Sequence, residues 1–136
     1  MSMLDQIPET LGITEPWTET GGVHWLASGA LKVRDLARTM NSCHARFITI
    51  TAYQLPKEEG LKLEYHWDLQ GKLLGFPFQL QGKSIESIYD LCEAADWIER
   101  EIHEEYGIDF MGRAYEPLLL REGDELGVNL REEVKK

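Results

Sequence analysis

Positive charge is in short supply in this sequence: 14 lysines and arginines stand against 24 aspartates and glutamates, a formal net charge of −10 over 136 residues. Such a chain is repelled by phosphate backbones and by anionic headgroups, which argues against nucleic acid and charged membrane surfaces as partners. An acidic surface suits solubility or a basic protein partner. Long apolar runs are missing too. No stretch approaches the roughly 18 residues that a membrane span requires, so direct membrane insertion is not expected. The first ten residues, MSMLDQIPET, have neither a basic region nor an apolar core, so they do not read as a signal peptide and the chain is expected to be cytoplasmic.

Cysteine is nearly absent. Cys43 and Cys92 are far apart and in no CxxC arrangement, which leaves no cysteine set for a cluster or a zinc ribbon. Without an export signal both read as reduced thiols of the core. Gly82-Lys83-Ser84 lacks the upstream glycine of a phosphate loop, and no GxSxG occurs. The four histidines, His24, His44, His66 and His103, are scattered. Glu99 and His103 are four apart and can share a helix face, but the bundle-type metal motif needs Glu three residues before His, where Arg100 stands. Cys43 next to His44 makes a thiolate pair only if the side chains meet, and adjacent side chains usually point apart. No metal, no cofactor and no catalytic residue are expected.

What is present has the composition of one soluble globular domain, 43% apolar and 28% charged. Residues 1–20, with Pro8 and Pro16, read as an extended lead-in. Val23 to Leu26, flanked by glycines, suggests a strand. Val33, Leu36, Ala37 and Met40 recur at helical spacing, with Asn41 as a stop. RFITITAY is apolar on both faces and reads as a central strand. In LKLEYHWDL, Leu61, Leu63, Tyr65, Trp67 and Leu69 alternate with polar residues, the signature of a half-buried strand. LLGFPFQL completes a hairpin, and Pro77 places this second strand at an edge or a bulge. Ser84 caps a helical stretch that ends at Gly107, with a break near Cys92. The order β-α-β-β-β-α gives an α+β domain over 21–115: a mainly antiparallel or mixed sheet of about four strands, with helices on one face. Residues 116–136 read as a charged tail.

On a helical wheel Leu91, Ala95, Ile98, Ile102 and Tyr106 fall in a sector of about 60°, which is the core face. Trp97 lies outside it, among Glu93, Arg100 and Glu104. A large aromatic among charges on an outer face reads either as a ring lying flat across neighbouring side-chain stems or as the contact of a covering partner, tryptophan and arginine being favoured interface anchors.

The stretch AADWIEREIHEEYGIDFMG resembles the signature of the thirty-kilodalton family of small proteins in respiratory NADH:quinone oxidoreductases. The same family supplies small subunits to energy-converting nickel–iron hydrogenases and formate hydrogenlyase-type complexes. Trp97, Glu99-Arg100-Glu101, Glu104, Gly107-Ile108, Phe110 and Gly112 carry the resemblance, which covers about residues 45–112. Arg113-Ala114 replaces the His-Pro step of respiratory members, and the short tail looks more like the hydrogenase branch. The resemblance implies a subunit without flavin, iron–sulfur cluster, nickel or quinone, peripheral to the membrane. It would pack on the catalytic subunits of a hydrogenase or NADH:quinone oxidoreductase-type complex. Trp97, Glu99, Arg100, Glu101 and Glu104 are the candidate contacts. Two other readings stand beside it: a free-standing adaptor of the same fold, and a small acid–base or metal-dependent enzyme using Glu99, Glu101 and His103.

Overall fold

The computed structural model describes residues 3–27, 31–56, 60–80 and 82–114. Their order is α1 (Met3–Leu11), β1 (Thr18–Thr20), β2 (Val23–Trp25), α2 (Val33–Ser42), β3 (Arg46–Gln54), β4 (Leu61–Leu69), β5 (Lys72–Leu80), β6 (Ser84–Glu86), α3 (Ala95–Tyr106) and β7 (Asp109–Met111). Five strands form a mixed sheet in the order β1-β2-β5-β4-β3, and β6 pairs with β7 in parallel. The class is α+β, with more strands than the four expected.

The β4–β5 hairpin is the centre of the sheet. Leu61, Leu63, Tyr65, Trp67 and Leu69 are at most 3% exposed, while the alternating polar residues are half-buried. The register sets Leu63 opposite Phe78, Tyr65 opposite Phe76 and Trp67 opposite Leu74, so apolar side chains meet across both strands. Gln70 and Gly71 turn the chain with φ of 53° and 86°, and the Asp68 carboxylate accepts the Gly71 N–H at 2.9 Å. On the wetter face the Trp25 ring lies over Gly75, where a β-carbon would come within 2.6 Å of it. The same ring meets His66 edge-on at 5.4 Å. Val33, Leu36, Ala37 and Met40 are the buried face of α2, as their spacing predicts.

Four expectations need correction. β3 is an edge strand, paired only with β4 among the described residues. Its apolar character comes from α3 packing against it, not from strands on both sides. A bulge between Phe47 and Thr49 leaves Ile48 outside the ladder, a device that blunts an edge. β5 is interior despite Pro77. Its partner β2 pairs only with Leu73, Leu74 and Gly75, so the outer side of β5 has no described strand beside it at Pro77.

The lead-in is not extended. α1 packs on α2 and buries Ile7. Pro8 lies inside α1 and cannot donate to the Leu4 carbonyl. The Trp17 indole N–H donates to that carbonyl instead, at 2.9 Å, while the ring packs on Phe76. Ser84 begins a strand, not a helix, and α3 starts only at Ala95. Between them the backbone is held from outside. Arg34 donates to the Ser87 carbonyl, Asn41 to that of Leu91, and the Ile88 N–H donates to Glu99. Short turns at the Ile88 and Cys92 carbonyls satisfy part of this backbone, and side chains of α2 and α3 take other groups that a helix would satisfy internally. Gly107 caps α3 in the left-handed conformation, φ 70°, as expected. The proposed tail, 116–136, lies outside the described residues.

Leu63→Asp puts a charge into the sheet core and is expected to destabilise by several kcal/mol, against about 1 kcal/mol or less for Lys62→Gln on the other face. Denaturant unfolding of the two variants checks the register; equal losses contradict it. Burial pushes the His66 imidazole below its ordinary 6.5, against Glu64 and the Leu74 backbone, which pull it up. The unfolded chain therefore binds that proton first, and the stability contributed is complete above 6.5 and lost as pH falls below it. Melting temperatures at about pH 8 and about pH 5.5 are expected to differ less for His66→Gln than for wild type.

Candidate functional site

Local sequence places a carboxylate in the middle of the α3 core stripe. Ala95, Glu99 and Ile102 are spaced i, i+4, i+7, and all three are buried, Glu99 completely. A carboxylate there has to be answered by donors. The Ser87 hydroxyl donates at 2.6 Å, the Ile88 N–H at 2.9 Å and the Arg113 guanidinium at 3.1 Å. Burial pushes the Glu99 carboxyl above its ordinary range, and these donors pull it back without cancelling the shift.

Arg113 is the residue that sequence reasoning missed. Its side chain is 6% exposed and bridges Glu99 to Asp96, and its guanidinium lies 4.9 Å from the centre of the Tyr89 ring. Burial works against its charge, but hydrogen bonds to Asp96 and Glu99 prevail and raise its pKa. The available signal was the Glu99 spacing: a carboxylate on a core stripe demands a cation, and arginines are few. A second arginine ties in α2. Arg34 makes a two-pronged pair with Asp90 at 2.7 and 2.8 Å and donates to the Ser87 carbonyl.

From Asp96 the network reaches the surface. Its second oxygen pairs with Arg100 at 3.4 Å, and the Arg100 guanidinium sits 5.5 Å from the centre of the Trp97 ring. The Trp97 residue is 57% exposed, on the face the helical wheel assigns to it. Arg100 is only 17% exposed in its side chain, and its Nε is buried without a hydrogen-bond partner among the described residues. Glu101 is half-buried and Glu104 buried. Of the five candidate contacts, Trp97 and Arg100 are brought together, while Glu99 and Glu104 are taken into the interior.

The residues singled out for possible chemistry do not converge. The His103 ring Nδ1 is 2.8 Å from the Ile108 carbonyl, so it is engaged at the end of its own helix. Among the described residues no three of His, Cys, Asp and Glu are placed to hold a metal ion. Burial pushes both the Cys43 and the Cys92 thiol up, away from the reactive thiolate. No helix among the described residues is long and apolar enough to cross a membrane.

Residues 27–135 match the family described as the 30 kDa subunit of respiratory-chain NADH dehydrogenase, and the chain belongs to that family. It is thus a member of a family of respiratory-complex subunits. Among solved structures, a trypsin-resistant fragment of Nqo5 superposes with a TM-score of 0.62 at 18% identity, over 79% of this chain and 94% of that one. A chain of the membrane-bound sulfane sulfur reductase, an archaeal respiratory membrane complex, gives 0.63 at 20% identity, over 81% and 71%. At such identities the likeness is one of fold. Much of the stretch that carries the sequence resemblance is internal here. Glu99 and Phe110 are buried, Gly107 is the helix cap, and Gly112 has φ 93°.

Arg113→Ala leaves Glu99 buried beside one hydroxyl and one amide and is expected to cost about 3–5 kcal/mol. The raised Glu99 pKa means the folded chain holds that proton more tightly than the unfolded one, so stability falls as pH rises above the ordinary value of 4.5. Losing Arg113 enlarges that penalty. The stability gap between wild type and variant is therefore expected to widen from about pH 5 to about pH 8 in denaturant unfolding.

Proposed function

We propose that this chain is a non-catalytic structural and assembly subunit of a membrane-associated multisubunit redox complex. Its place is on the catalytic subunits at the cytoplasmic side, and α3 is the element that meets them. One observation carries the reading: Trp97 stands 57% exposed on a helix otherwise locked into the fold, with the Arg100 guanidinium against its ring. Aromatic and arginine side chains held rigidly in this way are favoured interface anchors, because little conformational freedom remains to be lost on binding. Glu101 borders them. Glu99 and Glu104, being buried, support the helix instead of touching the partner.

Family membership supports a respiratory-complex setting. Within that setting the energy-converting hydrogenase type fits better than the NADH:quinone oxidoreductase type. Arg113-Ala114 stands in place of the His-Pro step of respiratory members. In this role the chain binds no electron carrier of its own, and the redox groups belong to the subunits it holds.

Trp97→Ala is the direct test. The side chain is largely in solvent, so the melting temperature of the isolated chain is expected to stay within a degree or two. Co-purification of the redox subunits with a tagged chain from its own source is expected to drop, reflecting a loss of about 2 kcal/mol of binding. Unchanged co-purification contradicts the docking role of α3.

A further inference from the structure

Five large apolar residues are exposed among the described residues; two of them flank one network and a third lies on the strand that leads into it. Ile48 and Tyr53 belong to β3. Trp97, Tyr89 and Met111, which are 57%, 38% and 45% exposed, come from three separate segments. Contacts join Tyr89 to Trp97: the Tyr89 ring lies against Arg113, Arg113 pairs with Asp96, Asp96 with Arg100, and Arg100 lies over Trp97. Met111 sits two residues before Arg113 and accepts the Ser87 N–H at its carbonyl, which fixes β7 beside the segment that carries Tyr89. Because Arg113 is buried and paired twice, the aromatic groups at both ends are held by the fold itself.

The rim of this area is acidic. Glu93 is exposed just before α3 and Asp109 shares the outer face of β7 with Met111, while Asp90, beside Tyr89 with its side chain 63% exposed, is paired with Arg34. We infer that Tyr89, Trp97 and Met111 form one composite docking surface for a folded protein partner that presents an apolar centre ringed by lysine and arginine. This rests on the docking reading of α3 and extends it to the Ser87–Asp90 segment and β7. A second copy of the chain is a poor occupant, since it would bring acid against acid between two molecules of net charge −10. A basic rim removes that repulsion and makes the association sensitive to salt.

Hydroxyl-radical footprinting of the full-length tagged chain, free and within its purified complex, reads these side chains individually. Oxidation of Tyr89, Trp97 and Met111 is expected to fall together, several-fold, on assembly, with Tyr53 on β3 unchanged. Protection of Trp97 without Tyr89 and Met111 overturns the composite surface and leaves the docking of α3 standing. No protection at any of the three overturns both. Protection already present in the free chain, and lost when residues 115–136 are deleted, makes the chain's own segment the occupant and overturns the partner. For the rim, the double variant Glu93→Lys with Asp109→Lys is expected to release the partner subunits at lower salt. An unchanged salt profile with an unchanged melting temperature overturns the basic-rimmed partner.

Discussion

The buried carboxylate of Glu99 is the constraint around which this end of the molecule is arranged. A charge without access to water has to be met by donors in fixed positions, and here they come from two places in the chain, the Ser87–Ile88 segment and Arg113 at the exit of β7. Asp96 is drawn in through Arg113. Ion pairs of this kind add little net stability compared with an apolar filling, but removing one partner is severe. Their value is specificity of arrangement. The segment between β6 and α3 makes only short local turns, and Glu99, Arg34 and Asn41 tie it to the rest of the fold.

That rigidity links the interior to the surface. Asp96 is shared between Arg113, which is almost wholly buried, and Arg100, which lies against an exposed tryptophan. The aromatic group is presented by a helix whose position is set by the sheet through β3 and by the ionic network through Arg113. A surface supported this way loses little entropy when a partner covers it. In this chain much of the stretch resembling the family signature is internal and holds the shape of the face that carries Trp97. The buried glutamate, the glycine cap and the internal phenylalanine all act on the fold.

Much of this was legible in the sequence, and the failures have physical reasons. Strict alternation through Leu61–Leu69 announced the hairpin, since a period of two admits only one reading. Gly107 announced the end of α3, and the wheel put Trp97 outside. Pro77 misled because edge character is local: β2 simply ends before reaching it. RFITITAY misled because a strand covered by a helix looks like one flanked by strands. The stretch after Ser84 showed a helical pattern, yet it makes only short turns, and side chains distant in sequence capture other backbone groups, which no local rule sees. Glu99 was assigned to the surface because carboxylates usually are. Its position between Ala95 and Ile102 argued otherwise, and the answering Arg113 lies fourteen residues downstream.

The central claim is that the face bearing Trp97 meets another protein of the complex. A photo-activatable phenylalanine analogue placed at position 97 of the full-length chain, expressed in its own source and irradiated there, tests it most directly. The account predicts a covalent product with one redox subunit of the complex, and none when the same analogue replaces Lys62 on the polar face of the sheet. A chain that still enters the complex yet forms no product from position 97 contradicts it.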